Sequence, residues 1–188
     1  DTANPTVAPY AKTGEVHLRV TAMAEDEKAA RKLIKPVVKE LKSRIGSYIY
    51  TTSQDVTLEE AVVDLLQKNE LTLSTIESCT GGLLAARLIN VAGVSEVFKE
   101  GVITYSNKAK RNRAGVKKMT LMKYGAVSEQ VAKEMVKGGA MLAKSDVCVG
   151  ITGIAGPDGG TEEKPVGLVY IACNVCGRIT IKKYQFSG

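Results

Sequence analysis

The segment 77–82, ESCTGG, concentrates groups that can do chemistry. It offers a hydroxyl at Ser78, a thiol at Cys79 and a second hydroxyl at Thr80. Hydrophobic strand-like sequence precedes it and helix-like sequence follows. Backbone N–H groups at such a helix start can hold a phosphate or stabilise an oxyanion. The same residues also fit a plain helix start in which Ser78 or Thr80 is only the N-cap. The segment alone therefore leaves nucleophile and cap as open alternatives.

A hydroxyl nucleophile needs a base, and the composition limits what that base can be. The single histidine, His17, lies in a strand-like stretch far from the segment 77–82. This excludes multi-histidine metal sites and leaves Lys, Tyr, Asp, Glu and Cys for acid–base work. The stretch YSNKAK supplies Tyr105, Lys108 and Lys110. A desolvated lysine can be neutral enough to act as a base, with tyrosine as a proton relay. The alternative is a solvated basic face.

A third polar segment, TGIAGPDGGTEEKPVG at 152–167, is rich in glycine. Long loops of this kind often close over a site, and the alternative is a surface connection between strands. Lys164 offers a charge for a phosphate. From the three segments together we expect substrate contacts at Thr80, Gly81, Gly82, Ser106, Asn107, Thr152, Gly153, Gly156, Gly159, Gly160 and Thr161.

Strand-like sequence leads into each of these three segments. Strands are predicted at 71–76, 100–106 and 146–154, with helices between them and a hairpin near the chain end. This order predicts an α/β fold over residues 56–188, a three-layer α/β/α domain with a mixed sheet. In open α/β sheets, ligands bind at the carboxyl ends of strands. The three segments should therefore meet at one pocket if their strands are neighbours.

Two helix starts carry their own capping signals. Thr57 followed by Glu60 is a capping box, which predicts a helix running to about Lys68. Ser128 is placed to cap a helix that runs to about Lys144.

Residues 1–55 are predicted to form a smaller α+β domain of β-α-β order. A strand is expected at 14–23, a helix at 25–45 and a second strand at 47–52. Pro36 inside the helix predicts a kink or a break. The first twelve residues read as the tail of a linker.

Composition and charge narrow the function classes. A net charge of +6 without a long Lys/Arg tract suits anionic small molecules, and it makes nucleic acid a poor candidate for the main partner. No apolar run approaches the roughly 18 residues of a membrane helix, and no signal segment opens the chain. We therefore expect a cytoplasmic protein without a membrane partner. The lone CxxC pair, Cys173 and Cys176, lacks the further ligands of a structural zinc site.

Four stretches resemble the C-terminal domain of the competence-damage-inducible CinA family. In chain order they are ESCTGGLLAARL, GVITYSNKAK with the following GV, YGAVSEQVAKEM and ITGIAGPDGGTEEKPVG. This is also the nicotinamide mononucleotide deamidase family, and the resemblance covers about residues 57–188. The stretch from NPTVAPYAK to YIY resembles the small KH-like middle domain of the same family. The resemblance thus implies domains at 1–55 and 56–188.

The family resemblance implies hydrolysis of the carboxamide of nicotinamide mononucleotide to nicotinate mononucleotide and ammonia. By motif, it implies that Ser78 is the nucleophile, that Lys110 is the general base and that Tyr105 assists. Cys79, which is intrinsically the better nucleophile, is the alternative. The chemistry calls for no metal and no cofactor.

The resemblance also carries expectations about partners. The small-molecule substrate would be nicotinamide mononucleotide, and a homo-oligomer, in particular a dimer, is expected. The family's large N-terminal domain is absent from this chain, and the Arg-bearing final helix of relatives is absent after FSG, so the C-terminal domain is expected to be truncated. The alternative function is a catalytically inactive nucleotide- or nucleic-acid-binding module. The region 14–52 lacks the GXXG loop with which KH domains hold RNA.

Overall fold

A computed structural model describes residues 4–187 of the protein. The chain divides into two units between Asp55 and Val56. The smaller unit is a hairpin followed by one long helix. Its elements are β1 (Thr6–Lys12), β2 (Glu15–Thr21), α1 (Glu27–Ile45) and a 3-10 turn (Gly46–Tyr48).

The order of these elements differs from the predicted β-α-β. The first residues, interpreted as a linker, form β1, which pairs antiparallel with β2. Pro9 breaks the strand pattern in the sequence, but proline is tolerated on an edge strand, and both strands of a two-stranded sheet are edges. The strand predicted at 47–52 is wrong, because the chain turns through the 3-10 segment instead. The aromatic residues of this segment are typical of strands, but they do not form a strand without a partner strand to pair with.

The prediction at Pro36 was a kink or a break, and the break does not occur, because helix α1 is continuous through this residue. Proline removes the hydrogen bond to the carbonyl four residues back, here that of Lys32. Both residues are exposed, so water can satisfy that carbonyl. Asp26 caps the helix start, where its carboxylate accepts a hydrogen bond of 2.6 Å from the N–H of Ala29.

The larger unit is built on a five-stranded mixed sheet in the order β4-β3-β5-β6-β7. The strands β4, β3 and β5 are parallel, and β5, β6 and β7 are antiparallel. Its elements are α2 (Leu58–Lys68), β3 (Leu73–Glu77), α3 (Leu83–Ile89), β4 (Phe98–Ile103), α4 (Asn107–Ala114), α5 (Lys118–Tyr124), α6 (Glu129–Ala143), β5 (Val147–Gly153), β6 (Leu168–Val175) and β7 (Arg178–Gln185).

Helices cover both faces of this sheet. Leu73 and Val147 pack with residues of α2 and α3, whereas Ile76 and Cys148 pack with residues of α4, α5 and α6. Because side chains alternate across a strand, these two groups lie on opposite faces. The predicted three-layer α/β/α architecture with a mixed sheet is confirmed.

The predicted capping signals of this unit are present. The side chain of Thr57 accepts from the N–H of Glu60, and the carboxylate of Glu60 accepts from the N–H of Thr57 at 2.7 Å. Ser128 caps α6 by accepting from the N–H of Val131. These local bonds determine where α2 and α6 begin.

Candidate active site

The three polar segments follow three neighbouring parallel strands. Within the sheet, Glu77 is paired with Ile103 on one side and with Ile151 on the other. The N–H of Ser78 donates to the carbonyl of Ile151 at 3.0 Å, and the N–H of Thr104 donates to the carbonyl of Glu77 at 2.7 Å. These bonds hold the strand ends side by side, so the condition under which the three segments meet, that their strands are neighbours, is fulfilled.

A buried contact joins Ser78 to Lys110, which helix α4 carries. The Nζ atom of Lys110 lies 2.8 Å from the Oγ atom of Ser78. The same Nζ atom donates to the carbonyl oxygens of Thr104, at 2.8 Å, and of Tyr105, at 3.3 Å. Lys110 is 1% exposed and Ser78 is 6% exposed. We call this pair the Ser78–Lys110 dyad.

The surroundings of the dyad favour a neutral amine. Burial lowers the pKa of Lys110, because desolvation penalises the ammonium form. The nearby thiol of Cys79 acts on this pKa in the opposite direction, with a smaller effect. In the described part of the chain, no carboxylate forms an ion pair with Lys110. A lysine in this environment is suited to accept a proton.

Cys79, the alternative nucleophile, is a half-buried free thiol. Burial raises its pKa, and this outweighs the opposing effects of Lys110 and of the backbone N–H groups of Cys79 and Thr80. A protonated thiol is a poor nucleophile. The lysine amine thus contacts the hydroxyl of Ser78 directly, whereas burial keeps the neighbouring thiol of Cys79 in its less reactive protonated form.

Helix α3 is capped by a carboxylate rather than by a hydroxyl. The Oε2 atom of Glu77 accepts from the N–H groups of Gly82, at 3.2 Å, and Leu84, at 3.1 Å, and its Oε1 atom accepts from the N–H of Ala85 at 2.9 Å. Gly82 itself occupies the N-cap position with a φ of 98°, a conformation that glycine adopts readily. The expectation that Ser78 or Thr80 supplies the cap is therefore wrong.

The N–H groups of the two glycines in the turn are already engaged. Gly81 donates to the carbonyl of Ser78 at 3.1 Å, and Gly82 donates to the carboxylate described above. Neither N–H is free to hold an oxyanion in this arrangement. The N–H groups of Cys79 and Thr80 donate to no oxygen atom of residues 4–187 and face the Cys79 sulfur. These two are the available donors beside Ser78.

Thr80 contributes a second unusual group. Its Oγ1 atom is buried and has no hydrogen-bond partner among the described residues. An unpaired buried hydroxyl costs free energy, so such groups often await a ligand or a water molecule. A contact between Thr80 and substrate stays a prediction.

The second segment, YSNKAK, exposes its first three residues, and their roles toward a substrate stay predictions. The phenol of Tyr105 is 75% exposed, and within the described residues only its carbonyl is bonded to Lys110. Ser106 caps α4, since its Oγ atom accepts from the N–H of Ala109 at 3.0 Å. Asn107 is the exposed first residue of that helix. The cap on α4 fixes the start of the helix that carries Lys110.

The third segment begins inside the sheet. Thr152 is fully buried, and its hydroxyl donates to the carbonyl of Ala126 at 2.9 Å. Gly153 packs so closely that an added Cβ would lie 3.1 Å from the sulfur of Cys79 and 2.7 Å from Val169. Gly153 thus borders Cys79, the residue next to Ser78, whereas the hydroxyl of Thr152 is already engaged in a hydrogen bond.

The rest of this segment is held mainly by its own contacts. A Cβ at Gly156 or Gly160 would come within 2.7 Å of Val166. A Cβ at Gly159 would meet no atom within 4 Å. The Oγ1 atom of Thr161 accepts from the N–H of Lys164 at 3.0 Å. Substrate contacts from these residues stay predictions.

Lys164 ties this loop to the connection between α5 and α6. Its Nζ atom donates to the carbonyls of Tyr124, at 2.6 Å, and of Val127, at 2.8 Å. The ammonium is therefore committed to the protein, which argues against its predicted role as a free charge for a phosphate.

Sequence reasoning missed Glu77 and Thr104. Thr104 is fully buried, its N–H and hydroxyl both donate to the carbonyl of Glu77, and its own carbonyl accepts from Lys110. Glu77 had a usable signal, since a carboxylate that ends a buried strand needs a reason to be there. Thr104 had no such signal, because it contacts Lys110 through its main-chain carbonyl.

Neither a cluster of metal ligands nor a membrane-spanning helix is present among the described residues. Over residues 4–187, no group of three or more His, Cys, Asp or Glu side chains is arranged to hold a metal ion. Over the same range, no helix is both long enough and apolar enough to span a membrane.

Comparison with known proteins places both units in one family. Residues 55–188 match the model of the CinA C-terminal domain, and residues 1–51 match that of the damage-inducible protein CinA KH domain. A CinA-like protein of Kosmotoga olearia is 56% identical over 98% of this chain. The alignment takes in 45% of that relative, so the chain spans about half the length of the curated relatives it matches.

Solved structures of similar sequence share the fold of this chain. The competence/damage inducible protein CihA of Agrobacterium tumefaciens is 41% identical, with a TM-score of 0.68 over 69% of this chain and 79% of that one. A competence-damaged protein (CinA) superfamily member of Escherichia coli is 34% identical, with a TM-score of 0.68 over 77% and 87% of the two chains. This chain belongs to the CinA family.

Proposed function

We propose that the C-terminal unit is an amidase that hydrolyses the carboxamide of nicotinamide mononucleotide, giving nicotinate mononucleotide and ammonia. The observation that carries the chemistry is the buried Ser78–Lys110 dyad, with Oγ and Nζ 2.8 Å apart. The choice of substrate rests on the family resemblance of the motifs around Ser78, Lys110 and the loop 152–167.

The hydrogen-bond partners of Lys110 support its role as the base. A neutral amine has two N–H donors and one lone pair. The carbonyls of Thr104 and Tyr105 can only accept, so they take the two N–H groups. The lone pair is then directed to the third neighbour, the Ser78 hydroxyl, which donates its proton to Nζ. The two carbonyls thus orient the base, and a further role for the Tyr105 phenol stays a prediction.

The first half of the reaction forms an ester. As Ser78 Oγ bonds to the carboxamide carbon, its proton moves to Nζ of Lys110, and the carbonyl oxygen becomes an oxyanion. The N–H groups of Cys79 and Thr80, which face the Cys79 sulfur and have no oxygen partner among the described residues, are the donors closest in the chain to receive it. Lys110 then returns its proton to the nitrogen as the C–N bond breaks, and ammonia leaves.

The second half restores the enzyme. A water molecule attacks the ester carbon and gives a proton to Lys110. The C–Oγ bond breaks, the proton passes from Lys110 to Ser78 Oγ, and the acid product leaves. One amide and one water are consumed, and one acid and one ammonia are formed.

The assay is ammonia release from nicotinamide mononucleotide, measured with and without EDTA. We expect turnover that EDTA does not change, because every proposed group belongs to the chain. A matched control is Lys108→Met, which removes an exposed lysine from the same helix. No ammonia from the wild-type protein, in parallel with a longer CinA-like relative that also releases none, would overturn the proposal.

A further inference from the structure

We propose that Glu77 is a positioning residue for the nucleophile. Its buried carboxylate holds the turn 78–82 in the conformation that brings Ser78 to Lys110 and leaves two N–H groups free beside it. This inference rests on the proposed function, in which Ser78 attacks the substrate.

The carboxylate of Glu77 is satisfied by the backbone alone. Glu77 is 1% exposed, and in the described part of the chain it has no Lys, Arg or His in ion-pair contact. Its two oxygens accept instead from the N–H groups of Gly82, Leu84 and Ala85. Hydrogen bonds to an ionised acceptor are stronger than neutral ones, and a helix start favours negative charge. The side chain therefore fixes the start of α3 firmly.

Glu77 is fastened at its main chain as well. Its carbonyl accepts from the N–H of Thr104 at 2.7 Å and from the Thr104 hydroxyl at 3.3 Å. The carbonyl of Thr104 in turn lies 2.8 Å from Nζ of Lys110. Ser78, the next residue, donates its N–H to the carbonyl of Ile151. A shift of Glu77 would therefore move the nucleophile relative to its base.

The carboxylate of Glu77 also determines which backbone N–H groups are left to contact a substrate. It occupies the start of α3, so that the helix offers no anion site of its own. The N–H groups of Cys79 and Thr80, which lie between Ser78 and the capped helix, keep no oxygen partner among the described residues. Loosening the cap would let the turn relax and allow these two groups to find other partners.

The test compares Glu77→Gln with Glu60→Gln. Glutamine keeps the shape of Glu77 but has one acceptor oxygen, and its amide N–H₂ group opposes the backbone donors. Glu60 is the matched control, because its carboxylate also caps a helix start, bonding the N–H of Thr57 at 2.7 Å. The readouts are thermal unfolding, kcat and KM for nicotinamide mononucleotide, and the rate at which a fluorophosphonate labels Ser78. In that labelling, Oγ bonds to phosphorus, fluoride leaves and Lys110 takes the proton.

In Glu77→Gln we expect the fluorophosphonate to label Ser78 about 10- to 100-fold more slowly than in the wild type. The value of kcat should fall by a similar factor and KM should change little, because small misplacements of reacting groups slow a reaction by up to about 100-fold. Glu60→Gln should keep wild-type labelling and kcat. If both variants lose the same thermal stability and both keep wild-type labelling, Glu77 is only a helix cap and the inference is overturned. Wild-type labelling at Ser78 without ammonia release would instead refute the proposed substrate, and the labelling rates would still decide the role of Glu77.

Discussion

Replacing Lys110 by methionine tests whether the amine of the dyad is desolvated. Burial lowers the pKa of Lys110 in the folded protein below its ordinary value of 10.5. Between these two pKa values the unfolded chain binds more protons than the folded one. The free energy of unfolding of the wild type therefore rises with pH across that window, by up to about 1.4 kcal/mol per pH unit from this group. Lys110→Met removes that contribution.

The contacts of Lys110 also give the size of the stability loss expected for Lys110→Met. Methionine loses the contacts of Nζ with the oxygens of Ser78, Thr104 and Tyr105. At about 0.5–1.5 kcal/mol for each net hydrogen bond, the variant should be roughly 2–4 kcal/mol less stable above the pKa of the unfolded lysine. Below the folded pKa the deficit should be smaller, because the wild type then carries a desolvated charge. The variant should also lose about 10²- to 10⁴-fold in kcat with the loss of the base.

Urea unfolding followed by circular dichroism, at several pH values up to about 10.5, measures this directly. The quantity to compare is the difference in unfolding free energy between wild type and Lys110→Met, which should grow as the pH rises. Lys108→Met, which removes an exposed lysine from the same helix, is measured alongside as the control for the loss of a lysine side chain from α4. A difference for Lys110→Met that stays flat or shrinks with rising pH would refute the idea that the amine is desolvated.

Three further results are expected. Gly138→Ala should cost about 1–3 kcal/mol of stability in urea unfolding and should lower kcat, because the added Cβ on α6 would lie 1.8 Å from the carbonyl oxygen of Ala114 and push α4 away. The control is Gly46→Ala, since a Cβ at that position meets nothing within 4 Å. Thr80→Val should be neutral or stabilising by up to about 1 kcal/mol in thermal unfolding, since the hydroxyl it removes is buried and unpaired among the described residues, and a clear loss of stability would contradict this. The pH profile of kcat/KM should rise through a pKa below 10.5, as expected for a base whose pKa is lowered like that of Lys110, and an activity that falls over the same range would argue for a different base.

The parts of the fold that depend on local chemistry were predictable. The capping box at Thr57 and the cap at Ser128 act within three or four residues, so their helix starts can be read from the sequence. The positions of the strands of the larger unit along the chain followed from hydrophobic runs between such helices, whereas their order in the sheet was not predicted. The strand β1 was missed because Pro9 interrupts its pattern. The strand predicted at 47–52 does not form, because these residues pair with no strand in the described part of the chain.

In the candidate site, too, contacts between residues that are distant along the chain were not predictable from the sequence. The residue types at Ser78 and Lys110 indicated a histidine-free dyad, but the contact between them required α4 to start where Ser106 caps it. The role of Glu77 depends on N–H groups five to eight residues further along the chain, and these face it only once the turn has formed. Main-chain acceptors such as the carbonyl of Thr104 carry no signal in residue type. Contacts made by main-chain groups can therefore be identified only in the folded structure.

The central claim is that Ser78, and not its neighbour, attacks the carboxamide. The adjacent substitutions Ser78→Ala and Cys79→Ala make a matched pair, since both truncate one side chain in the same turn. Ammonia release from nicotinamide mononucleotide should fall by about 10⁴-fold or more in Ser78→Ala and should stay near the wild-type rate in Cys79→Ala, with both proteins folded by circular dichroism. Loss of activity in Cys79→Ala with turnover retained in Ser78→Ala would contradict the account.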